Sequence, residues 1–265
     1  MLTKVPIYLL IVLLVISCTT NKYATTNKLY NKQAKTYGKL LRQYPITDST
    51  GLYNTFVGTT NFNMRKPNMV VIHHTAQNSC EQTLQTFTLT RTQVSAHYVI
   101  CRTGKVHHML NDYLRAWHAG TSNWGNITDV NSCSIGIELD NNGSEAFSEA
   151  QMKSLTTLLT TLKNNYNIPT ANFVGHADIA PQRKNDPSRY FNWKQLATYG
   201  FGNWYDTTKV VVPPNYNTTH GLRLIGYNTT NLKAAIGAYK LHYNNTDTSK
   251  VLSPTDAKII YSLAN

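Results

Sequence analysis

Short, almost continuously apolar segments recur along the middle of the chain, and each ends at or beside a residue that can bind a metal or carry a proton. The clearest are Met69–His73, Ser134–Leu139 and Phe173–Gly175, the last of which leads directly into His176. An apolar run of this length, bounded by turn residues, is typical of a strand buried on both faces of a sheet. The sequence therefore predicts a buried sheet with polar side chains at its strand ends.

A long amphipathic helix is predicted between the second and third of these strands. Ser148 is followed by Glu149 and Gln151, which is the pattern of a helix N-terminus. One apolar stripe then follows at helical spacing: Met152, Leu155, Leu159, Leu162 and Tyr166. Asn167 and Pro169 end the helix. A shorter helix is predicted over residues 80–92 and a strand over Tyr98–Ile100. Alternating strands and helices favour an α/β fold with a mixed central sheet flanked by helices.

Changes in composition divide the chain into four segments, of which the first is residues 1–17. Residues 18–60 are polar and are interpreted as a tether, residues 61–205 as a compact domain, and residues 216–265 as a small all-α domain after the linker Val211–Pro214. The tether contains a weak helix face formed by Leu29, Tyr30, Ala34, Tyr37, Leu40 and Leu41. The C-terminal segment contains an apolar face formed by Leu232, Ala235, Ile236 and Tyr239, and a helix start at Ser253 and Pro254.

The first 17 residues are predicted to be a lipoprotein signal peptide. The apolar run Val5–Ser17 follows Lys4 and is shorter than the ~20 residues that a membrane span needs. The segment Val15–Cys18 resembles a bacterial lipobox, and that resemblance implies that Cys18 is the lipidated first residue of the mature protein. An uncleaved N-terminal anchor is the alternative. Either interpretation places the rest of the chain outside the cytoplasm.

Composition narrows the class of protein and its partners. The chain has 11% aromatic and 41% hydrophobic residues, which excludes a disordered protein. Its formal net charge of +12 is a property that concerns partners more than fold. For an exported protein, the expected anionic partners are lipid headgroups and the carboxylates of the cell wall. Nucleic acid is not an expected partner. Besides Cys18, the chain has Cys80, Cys101 and Cys133, which allow at most one disulfide, and the spacing does not select a pair.

A histidine and an aspartate in one segment indicate a metal site. His176 ends an apolar strand, and Asp186 follows ten residues later in a proline-containing loop that can fold back toward it. Imidazole and carboxylate ligands together suit Zn²⁺. Catalytic zinc takes three protein ligands and leaves one position for water. The third ligand would come from His73 or His74, and the sequence by itself does not choose between them.

Two further residues suit hydrolysis at such a metal. Glu138 lies in an apolar strand, where an acid is costly to bury without a purpose, and it could accept a proton from zinc-bound water. Lys184 lies between His176 and Asp186 in sequence, and its ammonium could stabilise the oxyanion that forms on an attacked carbonyl. A water-facing Glu138 at a sheet edge and a solvated Lys184 are the alternatives.

Five segments, in order, resemble the zinc-dependent N-acetylmuramoyl-L-alanine amidases of the superfamily that includes phage lysozyme-type amidases and peptidoglycan recognition proteins. The segments are Val71–Ala76, Val94–Tyr98, Ala116–Gly120, Ser134–Leu139 and Val174–Pro187. The resemblance implies that His73, His176 and Asp186 bind zinc, that Glu138 activates water and that Lys184 stabilises the oxyanion. It places His118 along the substrate groove, with a structural role as the alternative.

The C-terminal segment resembles the three-helix peptidoglycan-binding domain over Gly221–Tyr227, Leu232–Tyr243 and Leu252–Leu263. Together the two resemblances imply a zinc-dependent enzyme that cleaves the amide between N-acetylmuramic acid and L-alanine in peptidoglycan. A monomer is expected, although the sequence does not fix the oligomeric state. The lipid would hold it on the outer membrane, facing the periplasm. A peptidoglycan-binding lipoprotein without turnover and a metallopeptidase of the stem peptide are the alternatives.

Overall fold

The computed structural model describes residues 21–42 and 58–265, so Cys18 and the apolar run Val5–Ser17 lie outside the described residues. The chain separates into two compact units, Met1–Asn61 and Phe62–Asn265. In the first unit, helix α1 (Ala24–Leu40) forms where the weak apolar face predicts it, and its residues are exposed or half-buried. Every helix of the described ranges is too short or too polar to cross a bilayer.

The second unit is built on a mixed sheet, which confirms the predicted fold class. Its described strands, in the order β3–β2–β4–β1–β5, are β1 (Met69–His74), β2 (Tyr98–Ile100), β3 (Val106–His108), β4 (Ser134–Leu139) and β5 (Phe173–Gly175). Strand β1 runs parallel to β4 and β5, β4 runs parallel to β2, and β3 is antiparallel to β2. The apolar segments thus form the strands that the sequence predicts, and β3 is an additional edge strand.

The helices that the sequence predicts after Ser148 and Ser253 begin at those residues, and this unit contains further helices. They are α2 (Cys80–Thr88), α3 (Val130–Cys133), α4 (Glu149–Tyr166), α5 (His176–Ile179), α6 (Trp193–Thr198), α7 (Thr218–Ile225), α8 (Leu232–Tyr243) and α9 (Pro254–Ala264). The Ser148 hydroxyl accepts a hydrogen bond from the Gln151 amide at the start of α4. The helix predicted over residues 80–92 ends at Thr88, and a short 3₁₀ turn follows it.

Each face of the sheet has its own hydrophobic core, and strand alternation decides which residues join which core. Val70 and Ile72 of β1 pack with Leu155 and Leu159 of α4 on one face. Met69 and Val71 point to the opposite face, where the core also contains residues of α5, α7, α8 and α9. His73 continues the Met69–Val71 side by alternation, so its imidazole lies on the face that the C-terminal helices cover.

The C-terminal helices share their core with the sheet. Leu222 of α7, Tyr239 of α8 and Ile260 of α9 are buried in the same cluster as Val71 and Val174. Residues 62–265 accordingly form one compact unit. The division into a catalytic domain at 61–205 and a peptidoglycan-binding domain at 216–265 stays a prediction about function.

A disulfide connects Cys80, the first residue of α2, to Cys101, which directly follows β2. The two Cα atoms are 5.2 Å apart. Cys133 is a half-buried free thiol. The structure therefore resolves the pairing that the cysteine spacing left open, and the bridge fastens the N-terminus of α2 to the sheet.

Candidate metal centre

Three side chains from distant parts of the chain meet at the end of the sheet. His73 lies near the end of β1, His176 opens α5 directly after β5, and Asp186 lies in the loop after α5. All three are buried, with exposed fractions of 1%, 4% and 7% in that order. The Ala177 amide donates a hydrogen bond to the Asp186 carbonyl, 2.8 Å away, which returns the loop to the start of α5. The fold thus brings together the three residues that the sequence predicts.

The donor atoms of these residues are arranged as a metal site requires. The Nδ1 atoms of His73 and His176 are 2.9 Å apart, and Asp186 Oδ2 lies 3.2 Å and 3.1 Å from them. Ligands of tetrahedral zinc, each about 2.0–2.1 Å from the ion, lie roughly 3.3 Å from one another. Two imidazole nitrogens and one carboxylate oxygen are also a common ligand set for catalytic zinc. The residues therefore fit zinc in both chemistry and spacing.

A directed chain of hydrogen bonds orients the His73 ring. His73 Nε2 lies 3.1 Å from His118 Nδ1, and His118 Nε2 lies 3.1 Å from Ser134 Oγ. The Ser134 hydroxyl donates to the Val130 carbonyl at 2.6 Å. With Ser134 oriented in this way, the chain is satisfied when each imidazole carries its proton on Nε2. His73 Nδ1 then keeps a lone pair directed at the other two ligands.

A hydrogen bond at its outer nitrogen also orients the His176 ring. Its Nε2 donates to the Ala119 carbonyl, 3.2 Å away, which leaves Nδ1 directed at Asp186. Ala119 follows His118 in the segment between β3 and α3, so one segment holds the outer nitrogens of both histidines. Gly136 of β4 leaves space for the His118 ring, because a Cβ at this position would lie 2.4 Å from that ring.

The pKa values of His73 and Asp186 are shifted in the directions that favour cation binding. Burial lowers the pKa of His73 to about 4, and the nearby His176 adds to the effect, so His73 is neutral at pH 7. Burial alone would raise the pKa of Asp186, but the adjacent His176 and His73 imidazoles outweigh burial and hold that pKa well below its ordinary value. Neutral imidazole and ionised carboxylate are the forms that bind metals.

Glu138 lies beside this cluster. It pairs in register with His73 across the parallel strands β4 and β1, so both side chains leave the same face of the sheet. Its Oε2 is buried and has no hydrogen-bond partner among the residues that the structure describes. Burial raises the pKa of Glu138 to about 8, the Asp186 charge adds to this, and the Lys184 charge opposes it. A carboxyl with such a pKa can exchange protons near neutrality.

An open cleft of about 340 Å³ gives access to these groups. His73, Glu138 and Lys184 line it, and Lys184 is exposed to solvent. Three parts of the chain form the walls of the cleft. Helix α2 contributes Thr83, Thr86 and Phe87, the Ala116–Gly120 segment contributes Trp117 and His118, and the loop before Asp186 contributes Arg183. The cleft can therefore admit an extended ligand to a point between a carboxyl, an ammonium and the candidate metal ligands.

The segment that carries the cleft is similar to a known protein family. Residues 63–189 match the sequence profile of the N-acetylmuramoyl-L-alanine amidases. This part of the chain is similar to the N-acetylmuramoyl-L-alanine amidase family. The matched range contains His73, Glu138, His176, Lys184 and Asp186, so the whole cluster described above lies inside the matched segment.

Individual amidases show the same relation. N-acetylmuramoyl-L-alanine amidase AmiD of Escherichia coli is 40% identical over 158 residues, which cover 54% of this chain and 56% of AmiD. The 1,6-anhydro-N-acetylmuramyl-L-alanine amidase AmpD of Haemophilus influenzae is 41% identical over 104 residues, covering 39% of this chain and 56% of AmpD. The chain thus spans a little over half the length of these curated relatives.

Solved amidase structures extend the likeness beyond the matched segment. E. coli AmiD, in complex with anhydro-N-acetylmuramic acid-L-Ala-D-γ-Glu-L-Lys, superposes with a TM-score of 0.68 at 29% identity and covers 78% of this chain and 91% of AmiD. AmpDh3 of Pseudomonas aeruginosa superposes with a TM-score of 0.68 at 26% identity, covering 82% and 97% of the two chains. The resemblance to the amidase superfamily that the sequence motifs indicate is therefore confirmed.

The remaining residues that the sequence analysis singles out have separate positions in the matched segment. His74 points to the opposite side of β1, and its Nδ1 accepts a hydrogen bond from the Ser188 amide at 3.0 Å. Of the histidine pair, only His73 reaches the cluster. His118 lines the cleft and also contacts His73, and its place along a substrate groove stays a prediction. Ser134 and Ala119 were not predicted as parts of the site, because a hydroxyl and a backbone carbonyl give no distinctive sequence signal. Both lie in segments that resemble the family.

Proposed function

We propose that this protein is a zinc-dependent amidase that hydrolyses the bond between the lactyl group of N-acetylmuramic acid and L-alanine. The observation that carries the proposal is the convergence of His73, His176 and Asp186 beside the buried, unpaired Glu138 Oε2. The proposal is supported by the position of these residues within the range that matches the amidase profile, and by the cleft that gives a polymer access to them.

His73 Nδ1, His176 Nδ1 and Asp186 Oδ2 would hold the zinc ion. Bound zinc supplies a Lewis acid and lowers the pKa of a coordinated water from 15.7 to ~7. Glu138 Oε2 accepts the proton of the attacking water and later donates a proton to the leaving amine nitrogen. The Lys184 ammonium stabilises the negative charge that develops on the carbonyl oxygen, a contribution of about 3 kcal/mol for donors of this kind.

The proposed substrate is peptidoglycan or its muropeptide fragments. Related AmiD is solved with an anhydro-muropeptide, and related AmpD enzymes are named for the 1,6-anhydro sugar. The cleft supports this choice because Arg183 and Lys184 give it cationic groups, which suit the carboxylates of a stem peptide.

The reaction is tested with purified peptidoglycan and product masses. We expect release of intact stem peptides with free L-alanine amino termini, inhibition by EDTA and recovery with zinc. Cleavage inside the stem peptide would instead identify a metallopeptidase, and adsorption without any release would identify a binding protein.

A neighbouring pair of substitutions provides a matched control for the metal ligands. His73→Ala is expected to abolish both zinc binding and turnover, because it removes one of three ligands. His74→Ala, one residue away on the other side of β1, is expected to keep bound zinc. Zinc retention in the His73 variant, measured by atomic emission on the purified protein, would refute the ligand assignment.

We also propose that the enzyme is exported and held by a lipid on Cys18 at the outer membrane, facing the periplasm, where it acts as a monomer. The Cys80–Cys101 disulfide supports export, because such bonds persist in oxidising compartments. Labelling of the protein with radioactive palmitate, and loss of the label in Cys18→Ser, would test the anchor. Unlabelled wild-type protein in the soluble fraction would contradict it. Light scattering of the protein without its lipid tests the monomer.

A further inference from the structure

The C-terminal helices reach the metal centre through one buried carboxylate. Asp178 lies in α5, two residues after His176, and it accepts three hydrogen bonds of 2.7 Å. The Gly175 amide and His242 Nδ1 donate to its Oδ2, and the Tyr227 hydroxyl donates to its Oδ1. His242 belongs to α8, and Tyr227 lies between α7 and α8. Two of the three donors therefore come from the predicted peptidoglycan-binding segment.

The carboxylate fixes the backbone on which His176 is mounted. Its bond to the Gly175 amide closes the first turn of α5, so the peptide immediately before His176 is held in place. Ala177, also in α5, donates its amide to the Asp186 carbonyl. A shift of this turn would consequently move two of the three candidate ligands together.

Aromatic contacts hold the donors rigidly. The His242 ring stacks on Trp193 of α6 with a centroid distance of 3.9 Å and on Tyr243 at 4.1 Å. The Tyr227 ring packs edge-on against Trp124 at 5.1 Å. Asp178, Tyr227 and His242 are all buried, so water cannot replace a lost donor without entering the core.

We propose that Tyr227 and His242 are positioning residues for the metal centre, so that the C-terminal helices are a structural part of the catalytic site whether or not they bind peptidoglycan. This inference rests on the metal site of the proposed function. It deepens that proposal by giving the C-terminal segment a role in zinc affinity. Groups that orient metal ligands typically change affinity 10- to 100-fold when they are removed.

The alternative is that the two residues only stabilise the fold, and the chain offers a matched control for it. Tyr239 of α8 is also buried and also hydrogen-bonds a buried aspartate, with its hydroxyl 3.2 Å from Asp256 Oδ1. That pair joins α8 to α9 and makes no bond to α5 among the described contacts. Tyr239→Phe therefore removes a tyrosine–aspartate bond of the same kind away from the ligands.

The experiment measures zinc affinity of the full chain by competition with a chromophoric chelator, together with the visible spectrum of the Co²⁺-substituted protein. We expect Tyr227→Phe to weaken zinc binding about 10-fold and to alter the Co²⁺ spectrum, and His242→Gln to do the same. Tyr239→Phe should keep the wild-type zinc affinity and Co²⁺ spectrum, even if its melting temperature falls as far as that of Tyr227→Phe. Tyr227→Phe preserves the ring, so it decides the matter if His242→Gln does not fold.

Two results would overturn the inference: zinc affinity within twofold of wild type in Tyr227→Phe, or equal weakening in Tyr239→Phe. Failure of the wild-type chain to bind zinc would remove both this inference and the proposed function. Zinc binding that responds to Tyr227→Phe in a protein that releases no stem peptide would support the inference and refute the proposed activity.

Discussion

In the protein without bound metal, burial makes the ionised form of the Glu138 carboxyl unfavourable. With its pKa raised from 4.5 to about 8, the folded state favours the protonated form. The stability that this gives is fully present below about pH 4.5 and is lost as the pH rises toward 8. A neighbouring cation would favour the ionised form, which is the form a general base needs.

Replacement of this carboxyl by an amide should therefore separate stability from activity. In EDTA, Glu138→Gln is expected to exceed wild type in free energy of unfolding by up to about 5 kcal/mol at pH 9 and to match it near pH 4.5. With zinc restored, the variant should retain the metal and lose turnover by about 10²-fold or more, because the proton acceptor is gone.

Urea denaturation at the two pH values and zinc analysis check this prediction. Glu149→Gln is the control, since Glu149 is an exposed acid at the start of α4. A stability difference between Glu138→Gln and wild type that did not change with pH would show that ionisation of Glu138 is not what opposes folding.

At the scale of elements, α2 depends on its disulfide to form a wall of the cleft. The helix has nine residues, and Thr83, Thr86 and Phe87 from it line the cleft. Helices this short are marginal on their own. The bridge from Cys80 to Cys101 spans 21 positions and fixes the start of α2 next to the end of β2.

Removal of the bridge should loosen this wall more than the metal centre. The double variant Cys80→Ser, Cys101→Ser is expected to lose about 3 kcal/mol of stability, the value typical of a closed loop of this size. We expect KM to rise several-fold with kcat and zinc content nearly unchanged, because the metal ligands lie on other elements. Steady-state kinetics and urea denaturation measure these effects, with Cys133→Ser as the control. A fall in kcat alone would contradict this division of roles.

The sequence predicts elements well where burial leaves a pattern. β1, β4 and β5 are buried on both faces, so their apolar runs mark them almost to the residue. β3 escapes prediction because it is an edge strand of three residues, Val106–His108, two of which are histidines. Helix α5 also gives no recognisable sequence pattern, because its four residues are too few to show a helical period.

The candidate ligands can be predicted for a different reason. His176 and Asp186 are ten residues apart in one loop, and the resemblance to a family selects His73 over His74. The contacts of Asp178 cannot be predicted in this way, because Tyr227 and His242 lie 49 and 64 positions further along the chain. Only the folded chain shows that a tyrosine and a histidine in a helical segment hold the start of α5.

At the scale of the whole molecule, positive charge gives the protein a general attraction to its proposed substrate. The formal net charge is +12, and the stem peptides of peptidoglycan carry carboxylates. An attraction of this kind acts over the Debye length, which falls from about 10 Å at 0.1 M salt to about 3 Å at 1 M. Charge pairs inside a partly buried cleft are screened less than charges at the surface, so salt should separate adsorption to the polymer from recognition of the bond that is cut.

We therefore expect adsorption to intact sacculi to weaken several-fold between 0.1 M and 1 M salt, with a smaller change in the hydrolysis of a soluble muropeptide. Sedimentation of the inactive Glu138→Gln variant with sacculi measures the first quantity, and product release by wild type measures the second. Sacculi whose carboxyls have been converted to amides are the matched control and should bind weakly at both salt concentrations. Adsorption that ignored both salt and amidation would assign wall binding to specific contacts, such as those predicted for residues 216–265, and would leave the net charge without a role in it.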